Sequence, residues 1–366
     1  MKIAIDLSQI IYGTGVSHYR ENLVGNLLKI NKQSLASGAG KENEYLLYGG
    51  SLRRKRELEQ KINKLGSNLN VKVFPIPPML ANLVWNKLHI LPIEKLIGEV
   101  DLIHTSDWAE PPTKISKVTT IHDLIPIKFP KLTPRVIVET HRERLKWVAK
   151  ESKRIIVPSL CTKGDLISLG FDEEKIRVIP EAPNLFKASE KEVETVKKKY
   201  NIHENYIITI GANSRKNIKR IIEGYHLSKA GRNLKLIVVG EMIGSKLLDE
   251  RGVRFLGHVD DLDLEALLTG SKALVFASVY EGFGIPILDA FNCCVPVVTS
   301  NVSSMPEVSG GAAILVDPYD VNSIADGISE SLEKPKTLID KGLKRVKDFS
   351  WQQTAEETLK VYKEII

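Results

Sequence analysis

The feature that most constrains this chain is an alternation of short apolar runs with turns and longer amphipathic stretches. Runs of strand character lie at residues 2–7, 45–48, 100–104, 117–122 and 155–159, and the pattern restarts at 206–210, 234–239, 253–256, 274–277 and 295–299. Strands that are apolar on both faces belong inside parallel sheets covered by helices on either side. The two series therefore predict an α/β protein with two doubly wound parallel-sheet domains, whose ligands belong at the carboxyl ends of the strands. A chain of 366 residues favours two domains on size alone. Pro183 and Asn184, inside the turn-rich stretch 180–189, mark a hinge between them.

Residues 274–300 are the most specific stretch, reading as strand, glycine loop, helix and strand. Gly282 and Gly284 let the backbone turn and approach a ligand, and Pro286 suits a first helical turn, where no N–H is missed. The free N–H groups of such a helix can face an anion. Glu281 ends the strand, and Asp289 lies about one turn into the helix. Spacing alone leaves two readings open, a pair of acids facing one cleft or a helix-terminal acid beside a solvated one.

This stretch resembles the Glu-x7-Glu signature of retaining nucleotide-sugar glycosyltransferases with the GT-B fold, glycosyltransferase family 4. The resemblance implies that Glu281 contacts the donor sugar and that Gly282, Phe283, Gly284 and Ile285 form the loop contacting sugar hydroxyls and phosphate. It places Asp289 where the family's second glutamate holds the ribose, one methylene shorter. Cys293-Cys294 stands where the family usually has Cys-Gly, a departure expected to touch packing.

Other segments add to the likeness. Arg215, Lys216 and Asn217 follow a strand and open a helix, where positive charge opposes the macrodipole and is better explained by a shared anion. They match the family's Arg-Lys-Asn motif, whose basic residues hold the donor diphosphate. His104 and His122 each close a strand pattern, and a histidine so placed is commonly a structural hydrogen-bonder. The run His122-Asp123, however, resembles the family segment whose histidine reaches the donor sugar. Tyr12-Gly13-Thr14-Gly15 reads alone as a plain turn; beside the resemblance, Gly15 becomes the glycine approaching the donor phosphates. Gly257-His258-Val259 resembles the family's nucleobase-contacting turn, with Val259 as the donor-side residue. The stretch 351–366 is an amphipathic helix that, in this fold, returns to the first domain. The expected division is an acceptor-side domain at 1–183 completed by 350–366, and a nucleotide-sugar-binding domain at 184–349.

Composition narrows the remaining classes. Three cysteines, Cys161, Cys293 and Cys294, provide neither an even disulfide set nor metal-ligand spacing, and read as small buried hydrophobes in a reducing compartment. No run of eighteen apolar residues occurs, and Asp6 arrives too early for a secretory core, so a cytoplasmic location is expected, peripheral on the inner membrane face if a membrane is involved. The net charge of +7 suits an acidic partner, whether nucleic acid, an anionic membrane face or phosphorylated ligands. Arg53-Arg54-Lys55-Arg56 reads either as a solvated helix face or as a patch for anionic headgroups, and the apolar residues of 75–97 as core or acceptor groove. The polar stretch 31–43 reads as a loop. Asp261-Leu262-Asp263 reads as a helix start stabilised by capping and the dipole rather than as an Asp-x-Asp metal motif.

Taken with the resemblance, these features imply a metal-independent, retaining transfer of a hexose from a nucleoside diphosphate sugar to a glycan or lipid-linked hydroxyl, without nucleic acid as partner. GDP-mannose is the expected donor. Two alternatives are a nucleotide-sugar epimerase of related fold and a nucleotide-sugar-binding protein without transfer activity. Neither half carries a complete dinucleotide glycine fingerprint, which disfavours a NAD dehydrogenase.

Overall fold

The computed structural model describes residues 1–36, 43–67, 69–106, 108–241 and 250–366. It divides into two compact units, Met1–Glu181 with Ser350–Ile366, and Ala182–Phe349.

The first unit holds seven parallel strands, β1 (Lys2–Asp6), β2 (Glu44–Gly50), β3 (Asn70–Phe74), β4 (Leu102–Ser106), β5 (Ser116–Thr120), β6 (Arg154–Val157) and β7 (Ile176–Val178), in the order β3-β2-β1-β4-β5-β6-β7. Strand order reverses between β1 and β4, which is where a crevice opens beyond the strand ends. Because side chains alternate, Ile3 and Ile5 pack on one face with Tyr19, Leu23 and Leu27 of the helix Gly15–Ala36, while Ala4 packs on the other with Trp85 and Ile97. The final helix, Trp351–Lys363, packs its Leu359 and Tyr362 into the first of these faces, and Thr354 Oγ1 donates to Pro180 O at 2.8 Å.

The second unit holds six parallel strands, β8 (Tyr206–Ile210), β9 (Lys235–Val239), β10 (Val253–Gly257), β11 (Leu274–Phe276), β12 (Val297–Ser300) and β13 (Ile314–Val316), in the order β10-β9-β8-β11-β12-β13. Here the order reverses between β8 and β11. Ile208, Leu274 and Phe276 pack on one face with Leu288 of the helix Ile285–Asn292; Ile207 and Val275 pack on the other with Ile221 of the helix Ile218–Leu227 and Ile324 of the helix Val321–Glu333.

Several boundaries differ from the sequence expectation. Residues 31–36, read as loop, continue the helix Gly15–Ala36, and Asn31 exchanges two 2.9 Å hydrogen bonds with the Asn43 backbone; 37–42 lie outside the described residues. His104 does not end its strand. It sits inside β4, fully buried, with Nδ1 at 2.6 Å from Tyr362 Oη and Nε2 at 2.8 Å from Thr120 Oγ1. Burial, and then the Arg20 charge, push it well below the ordinary histidine range, so it is a neutral tie between strand and final helix. Among the described residues no helix is long and apolar enough to cross a membrane.

Candidate active site

The switch point of the second unit gathers two loops. After β8 the chain passes Gly211, at φ 98°, where an added Cβ would lie 2.5 Å from Lys216 Cγ. Only glycine allows the Lys216 side chain to lie across the strand end. Asn213 Oδ1 accepts from Lys216 N at 3.0 Å and closes the short 3-10 turn Ser214–Lys216. Asn217 follows at φ 61°, a left-handed conformation that asparagine tolerates.

Glu281 does not end its strand as expected: β11 stops at Phe276, and Glu281 lies in the loop that follows, with its side chain directed at the same turn. Its Oε1 lies 2.8 Å from both Arg215 Nη1 and Lys216 Nζ. Arg215 Nη1 also donates to Tyr280 O at 2.9 Å, and Lys216 Nζ sits 4.4 Å from the centre of the Phe276 ring. Burial pushes the Glu281 carboxyl up, but the Lys216 and Arg215 charges outweigh it and hold the group below its ordinary range. The cluster therefore carries two cations against one anion, one positive charge in excess. The loop behind it is fixed by Ser303 and Ser304, whose hydroxyls donate to Glu281 O at 2.6 and 3.0 Å, and Ser304 also to Phe283 O at 2.5 Å. Gly284, at φ 115°, delivers the chain into the helix Ile285–Asn292 with Pro286 in its first turn.

Each expected residue can now be placed. Arg215, Lys216, Glu281, Gly282, Gly284 and Ile285 lie together on these two loops. Phe283 and Val259 turn their side chains into the core, so only their backbone faces outward. Asn217 carries a different task from the donor contact expected of it. It is buried, its Nδ2 donates to Ala277 O at 3.0 Å and Pro318 O at 2.6 Å, and its Oδ1 accepts from Arg220 at 3.1 Å, so the side chain holds three loops in place. Asp289 is buried too, and its Oδ1 accepts from the backbone of Asn184 at 2.7 Å and Leu185 at 3.0 Å. Burial raises its carboxyl to about 7 despite those two bonds.

In the first unit, Gly15 begins its helix with open space where a Cβ would stand. His122 lies just beyond β5, with Nδ1 at 2.7 Å from Glu181 Oε1. A carboxylate can only accept, so an ionised Glu181 keeps a proton on Nδ1. Asp263 Oδ2 accepts from Tyr200 Oη at 2.8 Å and pairs with Lys199, while no side chain caps the helix Asp261–Thr269; the expected capping is replaced by these contacts. Gly211, Glu181, Ser303 and Ser304 were not singled out from the sequence. Only the strand-end glycine carried a signal, since the others act through tertiary contacts.

Comparison with known proteins identifies the family and the fold. The family model described as Glycosyl transferases group 1 matches residues 191–345, and that described as Glycosyltransferase Family 4 matches 41–184. The chain is 33% identical over 266 residues to O-antigen chain mannosyltransferase B of Escherichia coli, covering 67% of this chain and 70% of that protein. It is 28% identical over 244 residues to MMP alpha-(1->4)-mannosyltransferase of Mycolicibacterium hassiacum, covering 61% of this chain and 57% of the relative. Among solved structures, Anabaena Alr3699/HepE in complex with UDP-glucose superposes with a TM-score of 0.72 at 16% identity over 100% of both chains. WaaG, a glycosyltransferase involved in lipopolysaccharide biosynthesis, gives 0.67 at 14% identity over 97% of this chain and 98% of its own. With two Rossmann-like parallel sheets, matches to both family models and a relative at 33% identity, the chain belongs to the family 4 and group 1 glycosyltransferases of the GT-B fold.

Proposed function

We propose that the protein transfers mannose from GDP-mannose, with retention at the anomeric carbon, to a hydroxyl of a glycan or lipid-linked acceptor. The observation that carries this reading is the pairing of Arg215 and Lys216 with Glu281 at the β8/β11 switch point. The mannosyltransferase names of the matched relatives favour mannose among hexoses.

The difficult step is departure of the diphosphate. As the bond from the anomeric carbon to the phosphate oxygen breaks, negative charge grows on the leaving group. Arg215, Lys216 and the amino ends of the helices Ile218–Leu227 and Ile285–Asn292 would stabilise it. The acceptor oxygen bonds to the same face of that carbon, and its proton passes to the leaving phosphate, so no separate nucleophile is required. Glu281 orients the sugar in this reading, and His122, braced by Glu181, is the histidine that the family likeness assigns to the donor sugar. Basic side chains take the place a divalent ion would fill, and Asp263 is already engaged by Lys199 and Tyr200.

Lys216→Ala tests the assignment. Losing a charge-assisted contact to the leaving group should lower kcat by roughly 10²-fold or more while the fold persists. Unchanged turnover in that variant would remove the basic pair from the mechanism.

A further inference from the structure

Ser303 stands two residues before the short helix Met305–Ser309 with φ at 60°, in the left-handed region. Few serines adopt that region, because Cβ crowds the following carbonyl there, and glycine or asparagine is the ordinary choice. Elsewhere around the site the chain makes that choice. Gly211 and Gly284 carry φ of 98° and 115°, and Asn217 carries 61°. A serine kept where its own Cβ is unfavourable has to be explained by what its hydroxyl does.

Ser303 Oγ donates to Glu281 O at 2.6 Å and accepts from Glu281 N at 3.2 Å. A hydroxyl has one hydrogen and two lone pairs, so a single atom can close on both backbone groups of one residue. Glu281 is thereby gripped on either side of its Cα, the atom from which its side chain leaves. Its N–H has no other partner among the described residues. Ser304 does a different task. It is fully buried at an ordinary φ of −80° and donates to the Glu281 and Phe283 carbonyls at 3.0 and 2.5 Å, which secures the loop as a whole. What Ser303 adds is the orientation of one residue. That orientation matters because Glu281 meets both Arg215 and Lys216 through the one oxygen Oε1, a contact that a turn of the backbone beneath it would break.

We infer that Ser303 is a positioning residue for transfer, whose two-sided bond to the Glu281 backbone aims that carboxylate, and that the left-handed turn exists to bring the hydroxyl there. The inference rests on the reading that Glu281 orients the donor sugar.

Three variants of the full chain separate aim from stability. Ser303→Ala keeps the Cβ and removes the hydroxyl, Ser303→Gly removes both, and Ser303→Thr keeps the hydroxyl on a β-branched side chain that suits the left-handed region poorly. Relief of the turn should make the glycine variant melt about 2–4 °C above the alanine variant. Both should nevertheless lose kcat alike, about 10- to 100-fold, with KM for GDP-mannose held within about threefold. The threonine variant should melt below the wild type yet keep kcat within about threefold of it. The comparison of alanine with glycine decides the matter even if the threonine variant folds poorly. A kcat that follows the melting temperature, with the glycine variant near wild type and the alanine variant below it, would overturn the assignment, as would a folded threonine variant no more active than alanine. Amide hydrogen exchange at Glu281 gives a second readout that needs no turnover. It should quicken in the alanine and glycine variants, and unchanged exchange would also overturn the assignment. Quickened exchange in a protein whose wild type shows no acceptor-dependent turnover would keep the clamp and sink the transfer reading.

Discussion

The Asp289 carboxylate is buried where charge is expensive, and two backbone amides only partly offset that cost. Its folded-state value, about 7, stands above the ordinary 3.8, so the folded protein binds this proton more tightly than the unfolded chain. The linked stability is fully present below pH 3.8, falls as pH rises, and is gone above about 7, a difference of roughly 4 kcal/mol at most. Asp289→Asn keeps an oxygen for the Asn184 and Leu185 amides but cannot ionise. Urea unfolding across this pH window should therefore give a flatter decline in the variant, and the same slope in both proteins would show that Asp289 does not titrate there. At this scale the sequence was readable where chemistry follows residue type and spacing. Glu281 with its glycine loop, and the basic pair at 215 and 216, were legible in this way. Direction was not legible. Asn217 points inward and Asp289 toward the backbone of Asn184 and Leu185, because tertiary packing decides which way a side chain on a given turn faces. Ser303 and Ser304 reach the Glu281 loop from 22 and 23 residues away, a relation that no local pattern encodes.

Among the elements, residues 75–91 are the least like an ordinary loop. The short helix Pro78–Ala81 and the π-helical turn Asn82–Lys87 bury Ala81, Trp85 and Asn86. The same segment exposes Met79 at 84%, Leu88 at 56% and Ile90 at 54%, with Leu80 and Leu83 close behind. Ser51 N donates to Phe74 O at 3.0 Å, so the exposed run of Arg53, Lys55 and Arg56 leaves the sheet from the same edge as this apolar segment. Cations beside an exposed apolar ridge suit an anionic bilayer, where each basic side chain adds about 1 kcal/mol. The protein should co-sediment with anionic vesicles but not neutral ones, less so with added salt and less again when Arg53, Lys55 and Arg56 are neutralised. No sedimentation at low salt would rule this surface out. From the sequence, the apolar residues of 75–97 suited either a core or an acceptor groove. The π-turn breaks the 3.6 period by which a buried face is normally recognised.

At the scale of the whole molecule, two parallel sheets each reverse strand order beside the first strand, and each reversal lies next to a candidate site. The apolar alternation made the strands flanking both reversals legible. The edge strands β3 and β13 were harder to see, because β3 interleaves Asn70 and Lys72 with Val71 and Val73, and β13 is three residues long. Strand partners were not legible at all, since order in a sheet depends on crossovers that local periodicity does not record. The central claim is transfer, and acceptor-dependent turnover of GDP-mannose, followed by NMR in the presence of excess EDTA, tests it most directly. The account predicts GDP release only when a mannoside acceptor is present, with the new glycosidic bond in the α configuration of the donor and activity undiminished by the chelator. Release of GDP and free or epimerised sugar without acceptor, an inverted β product, or turnover restored only by added magnesium or manganese would contradict it.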